Sequence, residues 1–219
     1  MPNFIQGILT AANDKYATWS TTNKSPTKVI LSNGNLTATG TTFTGGSVIS
    51  TIGKSSGKWY WEYTVNAATS SSNTFLGLAT NFTDSGSYLG AYPGSFAYRQ
   101  NNGALNYCFL LSGIAKCPCG IPCPGCSACN STVVADLVAG DVISVLLDMN
   151  ALTVAIYKKS ASDVAPVLIG GGTTTLPAGT WYAAFGNSGN SASVTANFGG
   201  STFLYYDILG AGYNQGIYN

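Results

Sequence analysis

Histidine is absent from the 219 residues, and Glu62 is the only glutamate. The first absence removes the commonest general base and the commonest imidazole metal ligand. The second prevents two glutamates from flanking a glycosidic bond within one chain, and the aspartates are scattered singly. Charge of either sign is scarce: Lys and Arg number 9 and Asp and Glu 8, together 8% of the chain, with a formal net charge of +1. Soluble domains carry roughly 25%. So weak a field draws in neither nucleic acid nor an anionic bilayer, and neither partner is expected. No apolar run approaches the roughly 18 residues of a membrane-spanning helix. The opening Met1-Pro2-Asn3-Phe4-Ile5-Gln6 lacks the basic start and apolar stretch of a secretory signal. The inventory suits a protein that binds or builds, is not an enzyme and needs no cofactor.

What the chain does have is strand-forming sequence. Lys58-Trp59-Tyr60-Trp61-Glu62-Tyr63-Thr64-Val65 is aromatic and β-branched and follows the turn-like Ser55-Ser56-Gly57. Residues 141–148, 152–157, 181–185 and 193–198 read the same way, each bounded by Gly, Asn, Asp or Ser. Asp148-Met149-Asn150-Ala151 is a short turn, so 141–157 is expected to form a hairpin in which Val142, Val145 and Leu147 face the core. Helical periodicity is confined to a turn or two within about residues 4–18. Twenty-seven glycines spread over the chain mark turns between short strands and not a linker. One domain spanning 1–219 is expected, an all-β, two-sheet antiparallel sandwich.

Four stretches, in order, resemble the SPRY (B30.2-like, concanavalin-like) domain: Ser56 to Glu62; Gly77-Leu78-Ala79; Gly140 to Asp148 with Leu152 to Lys159; and Gly179 to Phe185 with Val194 to Gly199. Together they cover roughly 17–206. The opening, with Trp19, Asn23-Lys24-Ser25 and Ile30-Leu31-Ser32-Asn33-Gly34-Asn35-Leu36-Thr37-Ala38-Thr39, is similar to the start of SPRY-type domains in bacteriophage structural proteins. The resemblance implies an interaction module, and its phage style implies a virion component assembled in the host cytoplasm. Residues 91–130 depart from the pattern, being longer and richer in cysteine, so binding specificity there does not transfer.

All six cysteines fall in that departure: Cys108, Cys117, Cys119, Cys123, Cys126 and Cys129. Pro and Gly between them bar regular structure, so the loop needs staples. Disulfides are the preferred reading, with a connectivity the sequence does not fix. The alternative is structural zinc on Cys123, Cys126 and Cys129 with Cys117 or Cys119. No helix N-terminus or basic neighbour is at hand to lower a thiol pKa, which argues against redox catalysis.

Tyr88, Tyr92, Tyr98, Arg99 and Asn101 lie in a Gly/Ser-rich stretch and are the candidate contact residues, since exposed Tyr, Asn and Arg build recognition platforms. The competing reading makes Tyr92, Phe96 and Tyr98 core aromatics of an ordinary strand. Asn35-Leu36-Thr37, Asn81-Phe82-Thr83 and Asn130-Ser131-Thr132 match the glycosylation sequon and, with no secretory route, are read as fortuitous. The apolar ends, Phe4 to Leu9 and Phe203 to Leu209, suggest assembly contacts, although docking within the chain is the commoner outcome. The leading expectation is a virion structural or decoration protein, on capsid surface or tail, that contacts other virion proteins and itself as a homo-oligomer. The alternative is a receptor-binding module that recognises a host surface glycan or protein through residues 83–130.

Overall fold

The structure, a computed structural model, describes residues 15–41, 45–68, 74–84, 89–99, 108–111, 114–116, 137–169, 173–188 and 191–219. Two antiparallel layers face each other. The first has seven strands in the order β1 (Trp19–Lys24), β4 (Gly46–Lys54), β14 (Trp181–Asn187), β6 (Thr74–Ala79), β7 (Ser95–Arg99), β8 (Cys108–Leu111) and β9 (Ile114–Lys116). The second runs β12 (Val167–Leu168), β11 (Thr153–Lys159), β10 (Val142–Asp148), β5 (Lys58–Ala67), β15 (Ser193–Asn197), β3 (Thr37–Gly40) and β2 (Val29–Ser32). The short β13 (Thr174–Thr175) also pairs with β11, and β16 (Asn214–Gln215) lies parallel to the start of β5. The described helix is one turn, α1 (Tyr206–Leu209), and among the described residues no helix is long and apolar enough to cross a membrane.

Alternation assigns each strand a core face. From β5, Trp61, Tyr63 and Val65 enter the space between the layers, and they meet Leu76, Leu78, Phe96, Tyr98, Trp181 and Phe185 from the opposite sheet. Trp19 stacks on Tyr63 at 5.9 Å and meets the edge of Phe198 at 5.1 Å, while its indole N–H donates to the Leu36 carbonyl at 3.0 Å. Each such aromatic contributes about 1.5–3 kcal/mol by burial. The expected hairpin is present, with β10 and β11 paired from Val142–Lys159 to Asp148–Thr153. Its turn is fixed by the Asp148 carboxylate, which accepts the N–H groups of Asn150 and Ala151, both at 3.0 Å. The inward set of β10 is Ile143, Val145 and Leu147. Val142, one residue out of phase with them, is buried as well. Gly77 is required by close approach, because a Cβ there would sit 2.0 Å from the Phe96 carbonyl oxygen. No helix occupies residues 15–18, where Tyr16 instead bridges Tyr218; residues 4–14 lie outside the described ones.

The outer faces are covered unequally. Leu89 and Tyr92 are buried against Ile49, Phe75, Ala97 and Ala184 on the outside of the seven-stranded layer. On the other layer, Phe203, Tyr206, Leu209 and Tyr213 pack over Tyr60, Leu146 and Ala155. The tail thus docks on its own domain, as a strap across the sheet.

Candidate functional site

Strand register separates two ends of the sandwich. At one, β7 finishes at Arg99, β8 starts opposite it at Cys108, and β9 finishes at Lys116. Leu137 to Asp141 re-enter the fold there, where the Gly140 N–H meets the Val65 carbonyl at 2.8 Å. The cysteine-bearing stretch therefore leaves and returns at this insertion end. At the other, β4 finishes, β5 begins, and Tyr16 and Tyr218 bridge. This is the terminal end.

The candidate contact residues divide sharply. Arg99 closes β7 at the insertion end. Tyr88 and Asn101 lie outside the described residues, as do Cys117, Cys119, Cys123, Cys126 and Cys129, so neither the disulfide nor the zinc reading of that segment is placed. Cys108 is located only as the first residue of β8. Tyr98 and Tyr92 are corrected as exposed contacts. Tyr98 is fully buried between the layers with Phe96, as alternation along one strand dictates. Tyr92 is 6% exposed, and burial pushes its phenol up to about 12 beside the Ser47 hydroxyl. Two ion pairs stand near this end. Lys158 meets Asp141 at 3.2 Å with both side chains buried, and Asp141 also accepts the Val138 N–H at 2.9 Å, fixing the turn into β10. Asp84 takes the Ser25 hydroxyl at 2.7 Å and lies 3.5 Å from Lys28.

Glu62, a strand residue with no evident partner in the sequence, holds the strap. Its carboxylate accepts the Leu204 N–H at 2.9 Å, the Tyr205 N–H at 2.8 Å and the Tyr60 hydroxyl at 2.6 Å. The Tyr60 hydroxyl also contacts Ser144 at 3.0 Å, and burial, followed by Glu62, pushes the phenol well above its ordinary range. The buried glutamate serves a structural clamp. Among the described residues, no group of three or more His, Cys, Asp or Glu is placed to hold a metal ion.

At the terminal end the ammonium of Lys54 sits 3.8 Å from the centre of the Trp59 ring and donates to the Tyr218 carbonyl; burial depresses its pKa. Trp59, Tyr218 and Tyr16 form an edge-to-face row at 5.3 and 5.7 Å. Beside the row opens a cleft of about 770 Å³ between the layers, with Tyr16, Asn35, Leu36, Asn197, Ser201 and Asn219 among its walls and no ionisable side chain in its lining apart from the tyrosine. Sequence reasoning missed this cleft. Its walls come from five separated stretches, and the Asn33-Gly34 pair was its nearest signal.

A SPRY domain family model matches residues 58–201. The SPRY domain of human HERC1 superposes with a TM-score of 0.55 at 17% identity, covering 79% of this chain and 96% of that one. The PSpry domain of TRIM65 gives 0.54 at 14% identity, covering 84% and 92%. No curated protein sequence matches. At these identities the two structures speak for the fold alone.

Proposed function

Since the chain belongs to the SPRY domain family, whose members are generally protein-interaction modules, we propose that it is a structural or decoration protein of a bacteriophage particle, acting through protein–protein contacts. The phage assignment rests on the opening sequence, from Trp19 through the Ile30 to Thr39 stretch, and on a polar surface built from Ser, Thr, Asn and Gly in place of charge. Such a surface packs beside copies of itself with little electrostatic repulsion.

The single observation that carries an interaction role is the polarity of the sandwich. The cysteine-bearing stretch, within the segment that departs from the family pattern, is flanked at the insertion end, while both described chain ends meet at the opposite one. A rigid body with its ends so divided is suited to attach by one and present the other. Other virion proteins and further copies of this chain are the proposed partners.

Gradient-purified particles from the host that encodes the chain, analysed by mass spectrometry, test the reading together with light scattering on the isolated protein. The expected result is a stoichiometric virion component that forms a multimer or binds particles. A strict monomer absent from purified particles overturns it.

A further inference from the structure

The cleft at the terminal end is not explained by packing or by contacts at the insertion end. We propose that it is a binding site for an uncharged sugar residue, with the adjoining aromatic row extending the platform to a neighbouring residue of the same glycan. Its volume, about 770 Å³, falls in the roughly 300–1,000 Å³ range of ligand sites. Its lining carries amides, hydroxyls, apolar side chains and the Tyr16 ring, but no side-chain carboxylate, ammonium or guanidinium. A charged ligand finds no side-chain counter-ion in that lining, whereas a polyol needs paired neutral donors and acceptors.

Two amides on the walls have different duties. The Asn197 side chain is committed to its own loop, donating to the carbonyls of Ser201 and Thr202 at 3.1 Å and accepting the Gly199 N–H at 3.0 Å. It shapes one wall. The Asn35 side chain makes no hydrogen bond among the described residues, although its backbone is firmly held: its carbonyl accepts the Trp19 N–H at 2.8 Å. Asn33, Gly34 and Asn35 all take left-handed backbone conformations, with φ of 52°, 61° and 62°, which Asn and Gly tolerate best. The hairpin thus fixes in place an amide with two donors and an acceptor, the set that spans adjacent sugar hydroxyls. Half-exposed Tyr16, Tyr218 and Trp59 supply the complementary feature, a row of amphipathic rings beside a polar cleft, on which the C–H face of a sugar can lie. Lys15 and Lys54 are the cations near this row; the first stands 5.0 Å from the Tyr16 ring centre and the second is engaged with Trp59 and Tyr218.

The inference concerns the terminal end and stands whether or not the chain is carried on a particle. The full chain is screened against immobilised cellohexaose, maltohexaose, chitohexaose and mannan fragments, with sialylated and sulfated glycans and a displayed heptapeptide library in parallel. The neutral oligosaccharide that binds is then titrated by heteronuclear NMR. Shifts are expected at Asn35, Leu36, Gly200 and Ser201. Asn35→Gly keeps the left-handed turn and removes only the amide, so affinity should fall about tenfold or more with an unchanged melting curve; Tyr16→Leu should weaken binding likewise. Failure of every neutral glycan at millimolar concentration overturns the proposal. So do selective capture of charged glycans, capture of a peptide at the same residues, shifts confined to the insertion end, and undiminished binding by Asn35→Gly.

Discussion

Glu62 replaces the solvation lost on burial with two backbone N–H groups and one phenol, all within its own chain. Hydrogen bonds to an ionised acceptor are roughly twice as strong as neutral ones. Glu62→Gln would keep the shape but set an amide N–H₂ against a backbone donor, at a cost of about 2–3 kcal/mol. Urea unfolding should show that loss, and a change below about 0.5 kcal/mol would refute the clamp. The buried tyrosines give a second expectation. Burial pushes Tyr92 up to about 12 from an ordinary value of 10.0, and raises Tyr60 and Tyr63 further. Above pH 10 the unfolded chain therefore releases protons that the folded chain retains. Stability from these groups is whole below the unfolded value and is lost as pH climbs through 10 toward about 12. With no histidine to titrate, unfolding midpoints should stay flat across about pH 6–9 and fall steeply beyond 10. Phenolate absorbance showing every tyrosine of the folded protein ionising near 10 would contradict this. The two-residue spacing of Phe96 and Tyr98 carries a core signal that the reading of Tyr98 as a contact passes over. Tyr92 carries none, because its burial depends on a connection folding back over the outside of a sheet.

The strap is the element whose destination the sequence hides. Residues 203–209 read as an apolar end, but the glutamate that receives Leu204 stands 142 positions earlier, a separation over which no local pattern speaks. By contrast, β5, β10, β11, β14 and β15 were legible to within one or two residues, because alternating aromatic and branched side chains between turn formers leave little choice. The hairpin turn was legible for the same reason, since Asp148 supplies its own acceptor. The cleft was illegible because its walls meet only when both layers close. Phe203 and Tyr206 contact Tyr60 edge to face at 5.2 and 5.4 Å. Replacing both with alanine should cost about 3 kcal/mol and increase dye binding to the uncovered sheet. If calorimetry finds the melting temperature unmoved, the strap is an ornament and not a part of the fold.

At the scale of the whole molecule, the division between a terminal end and an insertion end organises the functional reading. The proposed attachment and display roles use opposite ends, and the strands between them serve as a spacer. The cysteine segment belongs to the insertion end through its flanking strands. Mass spectrometry of the native protein should show a gain of two hydrogens per bond on reduction if it is stapled by disulfides, as we expect. Unchanged mass with stoichiometric zinc would place the alternative thiolate set, Cys123, Cys126 and Cys129 with Cys117 or Cys119, in its stead. An antibody or a bulky tag directed to residues 117–129 should leave assembly intact if that end faces outward, whereas loss of assembly would reverse the polarity.

An electron cryo-microscopy reconstruction of the particle decides whether this chain is a virion protein. Density for a two-layer sandwich is expected in multiple copies on the virion, held through one end. A particle whose map accounts for all its proteins and leaves no place for this chain would contradict it.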